Sequence, residues 1–134
     1  MPTVSQPRKL FSLEDANRTL PLVSRIVEDI VRINLQMKGI HVEARKLVEE
    51  GASSRAEKLQ DRLQELRYEC GEYIDELDKI GCILKSPDTG LVDFPSQLEG
   101  RDVWLCWKLG EPAIQYWHEL KTGFSGRQPV NGRF

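Results

Sequence analysis

Apolar residues through the middle of the chain recur in steps of three and four. The first series runs Val23, Ile26, Ile30, Ile33, Met37, Ile40, Ala44 and Leu47. After Gly51 a second series runs Ala56, Leu59, Leu63, Leu66, Cys70, Tyr73, Leu77 and Ile80. Faultless alternation of these steps is the heptad pattern of a coiled-coil seam. Each helix is expected to run for roughly 27 to 30 residues, or about 40–45 Å at 1.5 Å per residue. Gly51 ends the first helix, a short turn lies at 51–53, and Ser54 with Glu57 reads as a capping box for the second. Gly81 is a natural C-terminal cap. Folded back antiparallel, Leu47 faces Ala56, Ile40 faces Leu63, Ile33 faces Cys70 and Val23 faces Ile80. All these pairs share one residue-number sum, so no layer slips.

The flanking positions orient this hairpin. Near the turn they are polar, with Glu43 opposite Arg62 and His41 opposite Gln60. At the other end Val27 and Ile74 widen the apolar stripe, and a widened stripe needs cover beyond its partner helix. The C-terminal segment emerges there and is expected to dock, leaving the turn end to project into solvent or towards another chain. Upstream, residues 1–10 read as a disordered lead-in. Ser12 with Asp15 resembles a cap, and Phe11 stands where a hydrophobic staple would reach Ala16. A short helix starts there and is expected to bend or restart at Pro21.

Beyond Gly81 the period shortens to two. Cys82–Lys85 and Leu91–Phe94 read as strands joined by Ser-Pro-Asp-Thr-Gly. Asp102–Leu109 alternates, with Val103, Leu105, Trp107 and Leu109 on one face and Trp104, Cys106 and Lys108 on the other. Gly110-Glu111-Pro112 turns the chain, Ala113–Glu119 returns, and an irregular tail follows. The pattern predicts an α+β, mainly α fold of one domain (1–134). Its parts are a long antiparallel, coiled-coil-like helical hairpin over 12–80 and a small antiparallel β-meander lobe of three or four strands over 82–130.

Composition narrows the function classes. The 134 residues carry 19 Lys plus Arg against 21 Asp plus Glu. That balance gives no general attraction to nucleic acid or anionic membrane. The N-terminus has no apolar core of a signal peptide, and no apolar run reaches membrane-spanning length, so the expected location is the cytoplasm. Cys70, Cys82 and Cys106 are odd in number and form no CxxC pair, which suits three reduced thiols. There is no Gly-rich phosphate loop and no GxSxG elbow, and two histidines cannot build a multi-histidine metal centre.

Candidate chemistry is confined to the β lobe. All three tryptophans fall between residues 104 and 117. They serve either as core filler for a small sheet or as an aromatic platform, with Trp107 and Trp117 the candidate ligand- or partner-binding rings. His118 and Glu119 are adjacent, so on a strand they point to opposite faces and cannot readily serve one metal. His118 acts as base or metal ligand only if it meets Glu111, Asp93 or Cys106 across strands; otherwise it is a hydrogen-bonded residue at the core edge. The candidate catalytic groups are thus His118, Glu111 and Asp93, and the candidate metal ligands His118 and Glu111. Glu111 suits either a clamp with Arg127 or a substrate contact. Glu119 and Arg127 complete the candidate binding set.

The strings Gly90-Leu-Val-Asp-Phe-Pro95, Leu105-Cys-Trp-Lys-Leu-Gly-Glu111 and Trp117-His-Glu-Leu-Lys-Thr-Gly-Phe-Ser-Gly-Arg127, with Phe11-Ser-Leu-Glu-Asp-Ala-Asn17 near the start, resemble an uncharacterised bacterial family, domain of unknown function 2203. The resemblance covers nearly the whole chain. It implies a bacterial protein with a polar and aromatic signature at Asp93, Trp107, Glu111, Trp117, His118, Glu119 and Arg127, and supplies no activity. Two functions remain in view. One is a non-catalytic binding or assembly module, self-associating as a dimer or engaging another protein through the hairpin. The other is a metal-dependent or acid–base, hydrolase-like enzyme using His118 with Glu111 or Asp93. No cofactor is implied, although a divalent metal is compatible with the second.

Overall fold

The computed structural model of the protein describes residues 9–134, so most of the expected lead-in lies outside the described residues. Two long helices, α1 (Leu13–Glu49) and α2 (Ser53–Ile80), form the antiparallel hairpin. Every residue of the two apolar series is buried or half-buried. The Ser12 hydroxyl caps α1 by accepting the Asp15 N–H at 3.0 Å.

The helix does not restart at Pro21: α1 is continuous over 37 residues. The apolar stripe runs through it, with Ala16, Leu20 and Val23 all buried, and this packing holds the register across the missing hydrogen bond. Pro21 itself is on the exposed side, where water can serve the carbonyl it frees. The capping box at Ser54 does not form either. The helix begins at Ser53 with Ala52 as an N-cap that lends no side chain. The turn closes earlier than expected, through Gly51 in the left-handed region (φ 80°) and a bond from the Ala52 N–H to the Leu47 carbonyl at 2.8 Å. Nor does Arg62 reach across to Glu43; it bonds Glu65 one turn along its own helix.

Five strands follow: β1 (Ile83–Ser86), β2 (Leu91–Leu98), β3 (Arg101–Lys108), β4 (Tyr116–Glu119) and β5 (Gln128–Pro129). They make one antiparallel sheet in sequence order, a meander. The fifth strand comes from the segment expected to be irregular; two residues hold no alternation to read, and their pairing with Tyr116 and Trp117 defines them. β2 also runs further than its apolar start, through Pro95. A proline is tolerated because β1 pairs no further than Asp93, and the Pro95 carbonyl accepts the Phe11 N–H at 2.8 Å instead.

The inner face of the sheet, with Val92, Phe94, Leu105, Trp107 and Trp117, packs into one core with Ala16–Ile33 of α1 and Leu66–Leu77 of α2. Phe11 closes it, edge-on to Phe94 with ring centroids 5.3 Å apart. Val27 is covered as expected, but Ile74 stays exposed, because the cover falls on the α1 side. The β1–β2 turn sits tightly on α1. A Cβ at Gly90 (φ 74°) would come within 2.9 Å of the Val27 side chain and 2.7 Å of Leu109. Asp88 in the same turn bonds Asn34 at 2.7 Å and pairs with Lys38. Ala44, Leu47, Ala56 and Leu63 bury only within the hairpin and lie outside the shared core, so the turn end projects beyond the sheet. Among the described residues no helix is long and apolar enough to cross a membrane.

Candidate functional site

Strand register decides which polar residues meet. Asp93 stands opposite Cys106 across β2 and β3, and His118 stands opposite Trp104, two residues along β3. Cross-strand partners and residues two apart share a face, so Asp93, Cys106 and His118 all lie on the face turned away from the helices. His118 reaches diagonally across β3, and its Nε2 lies 3.1 Å from both Asp93 oxygens. Its Nδ1 lies 2.7 Å from the Glu119 carbonyl. A carbonyl only accepts, so Nδ1 carries a proton and donates. The Asp93 oxygens, Cys106 Sγ and His118 offer ligand atoms that all lie within 4.8 Å of one another.

The cluster is sealed. The His118 and Asp93 side chains are each 3 % exposed, and Cys106 is fully buried. Burial, and after it the Asp93 charge, push the Cys106 thiol up to about 12, with Arg127 opposing. Without a metal it is a protonated thiol, not a nucleophile. Two surface concavities among the described residues do not reach the cluster. One is lined by Leu10, Gln97, Asp102 and Trp104; the other, by Asn17, Ser24, Trp107 and Glu111, lies where α1 meets the β3–β4 turn.

Glu111 does not join His118. Its carboxylate is gripped by Arg127 through two bonds, of 2.8 and 2.6 Å, and also accepts the Lys108 N–H at 2.8 Å. Burial favours the neutral carboxyl, but the Arg127 bonds and the Lys108 N–H outweigh it, and the net shift of Glu111 is downward. The Arg127 guanidinium lies over the rings of Tyr116 and Phe124, 4.1 and 4.7 Å from their centroids, and also bonds the Cys106 carbonyl at 3.3 Å. Of the two uses open to Glu111 in the sequence, the structure builds the clamp, which ties the β3–β4 turn to the tail.

The aromatic rings divide. Trp107 and Trp117 are inside the core, and the Trp107 indole N–H donates to the Glu111 carbonyl at 3.0 Å, so neither is a surface platform; Trp104 is half-buried on the outer face. Glu119 pairs with Arg101 at 3.1 Å. Sequence reasoning offered Asp93 and Cys106, beside Glu111, as the cross-strand partners that a metal or acid–base site on His118 would need, but named only His118 and Glu111 as metal candidates. The signal that could have joined them is the register: strands of alternating pattern around short turns put residues 93 and 106 directly opposite. Asn17 was missed as well. Its Oδ1 accepts the Ile114 N–H at 2.8 Å and fastens the β3–β4 connection to α1.

Comparison with curated proteins and with solved structures finds no match for this chain. A family model does match it, over residues 9–130, a span that takes in the hairpin, the sheet, the Asp93–Cys106–His118 cluster and the Glu111–Arg127 clamp. The chain belongs to the family described as uncharacterized conserved protein, DUF2203.

Proposed function

We propose that the protein is a non-catalytic assembly module that pairs with a second copy of itself through the outer face of its helical hairpin. The observation that carries this reading is the exposed pair Leu35 and Val42, 70 % and 69 % accessible on α1. They are seven residues apart, two turns along one face, and Gly39 between them, which carries no side chain, leaves that face low. Two such faces meeting about a twofold axis would build a four-helix arrangement. Because the turn end projects beyond the sheet, nothing among the described residues competes for this surface. The cytoplasm is the matching compartment, since Cys70, Cys82 and Cys106 are all unpaired thiols.

The enzyme alternative has support in the 3.1 Å convergence of His118 and Asp93 but lacks access, since both side chains are sealed from substrate. Sedimentation velocity across a concentration series tests the assembly reading. The expected result is a mass approaching twice 15.4 kDa that returns to 15.4 kDa in Leu35→Glu/Val42→Glu. A mass of 15.4 kDa at every concentration removes it.

A further inference from the structure

The outer face of the sheet poses a donor–acceptor problem. His118 Nδ1 donates to the Glu119 carbonyl at 2.7 Å, which in a neutral ring leaves Nε2 as a bare lone pair. That lone pair is aimed at two carboxylate oxygens, at 3.1 Å each, where every group is an acceptor. A cation has to stand between them: a proton or a metal ion.

Three observations favour the metal. The first is the symmetry of the contact. A single N–H points along one line and is best satisfied by one oxygen, whereas Asp93 presents both oxygens at equal distance, the pose of a chelating carboxylate. The second is the third ligand. Cys106 Sγ belongs to the same cluster, within 4.8 Å of the other ligand atoms. A zinc ion with bonds of about 2.0–2.3 Å needs its ligand atoms roughly 3 to 4 Å apart, a small closing movement. The third is Arg127. Its Nε–H is buried with no acceptor, in a guanidinium that already bonds the Cys106 carbonyl. A metal-bound thiolate beside it is the acceptor that donor lacks. The Nδ1-to-carbonyl bond is itself the outer-shell contact that orients ligating histidines.

We propose that Asp93, Cys106 and His118 form a closed structural site for a zinc-class divalent transition metal. His118 binds through Nε2, Cys106 through Sγ as a thiolate whose proton leaves to solvent, and Asp93 through both oxygens. A mixed nitrogen, sulfur and oxygen set selects zinc and its neighbours over magnesium or calcium. The three ligands come one each from β2, β3 and β4, so the metal ties the three strands together, and burial of the site keeps it from substrate. It is independent of the assembly surface on α1.

The test uses the full chain, stripped with a strong chelator and refolded from urea with Zn²⁺ or Co²⁺ present, so that the sealed face does not bar entry. Native mass spectrometry is expected to show one metal per chain. The Co²⁺ form is expected to show the near-ultraviolet thiolate-to-cobalt charge-transfer band that only a cysteine ligand gives. Cys106→Ser should abolish the band and weaken binding at least tenfold, while Cys82→Ser, at another buried thiol, should retain both. No stoichiometric uptake by the wild-type chain, or a band that survives Cys106→Ser, overturns the site. The wild-type spectrum decides the matter even where a variant fails to fold.

Discussion

Strand β3 separates two interiors built on different principles. Its inner side, Val103, Leu105 and Trp107, joins an apolar core shared with both helices, where contacts are non-directional and volume is what counts. Its outer side, at Cys106, is covered by no helix, yet Asp93, Cys106 and His118 are buried as deeply as the core rings. There burial comes from polar groups that fit one another: His118 against Asp93, and Arg127 against Glu111, Tyr116 and Phe124. An apolar interior tolerates exchange of similar volumes, whereas a polar one tolerates only exchanges that leave no group unpaired. The two faces of one strand should therefore answer mutation differently.

The largest effect belongs to the inner face. Phe94→Ala should cost about 3–5 kcal/mol, because the cavity beneath Phe11 cannot collapse against two helices. Urea melts should show a lower midpoint with an unchanged slope; a loss below about 1 kcal/mol would place the core elsewhere. On the outer face, His118→Phe in metal-stripped protein leaves Asp93 buried without its partner and should cost about 3 kcal/mol. Adding Asp93→Val should recover much of that loss. Simple additivity of the two substitutions would mean the pair is not coupled.

The clamp should show itself in acid. Glu111 is held below its ordinary value in the folded chain, so its contribution is complete above the unfolded value, near 4.5, and is lost as pH falls through the lower folded value. Melting temperature should therefore fall more steeply below pH 4.5 in the wild type than in Glu111→Gln. Equal slopes would make the clamp electrostatically idle. The smallest effect belongs to Asp88, whose pairing with Lys38 and Asn34 is exposed and joins the inner edge of the sheet to α1. Asp88→Ala should shift the midpoint slightly at low salt and not measurably at high salt. A large shift would make this turn a principal anchor of the sheet on the hairpin.

The hairpin was open to reading because heptad spacing is a local property. Each residue from Val23 to Leu47 and from Ala56 to Ile80 declares its face by its distance to the next, whatever the rest of the chain does. The inner face of β3 was legible for the same reason. The helix does not restart at Pro21: propensity weighs one missing hydrogen bond, whereas the structure weighs that bond against an apolar stripe buried on both sides of it. The capping box at Ser54 failed because the turn closed on Gly51 first. Among the candidate residues, Glu111 and Arg127 were paired from the sequence, but Glu111 was also offered to His118, which it does not join.

By itself, then, the sequence determined the period of each segment, the hairpin, the alternating strands and the confinement of polar chemistry to the last third of the chain. Only the tertiary structure decided that Asp93, Cys106 and His118 converge. They lie on three strands, and their meeting depends on the register that two turns impose. A shift of one residue in either turn would send one of them to the opposite face, because side chains alternate along a strand.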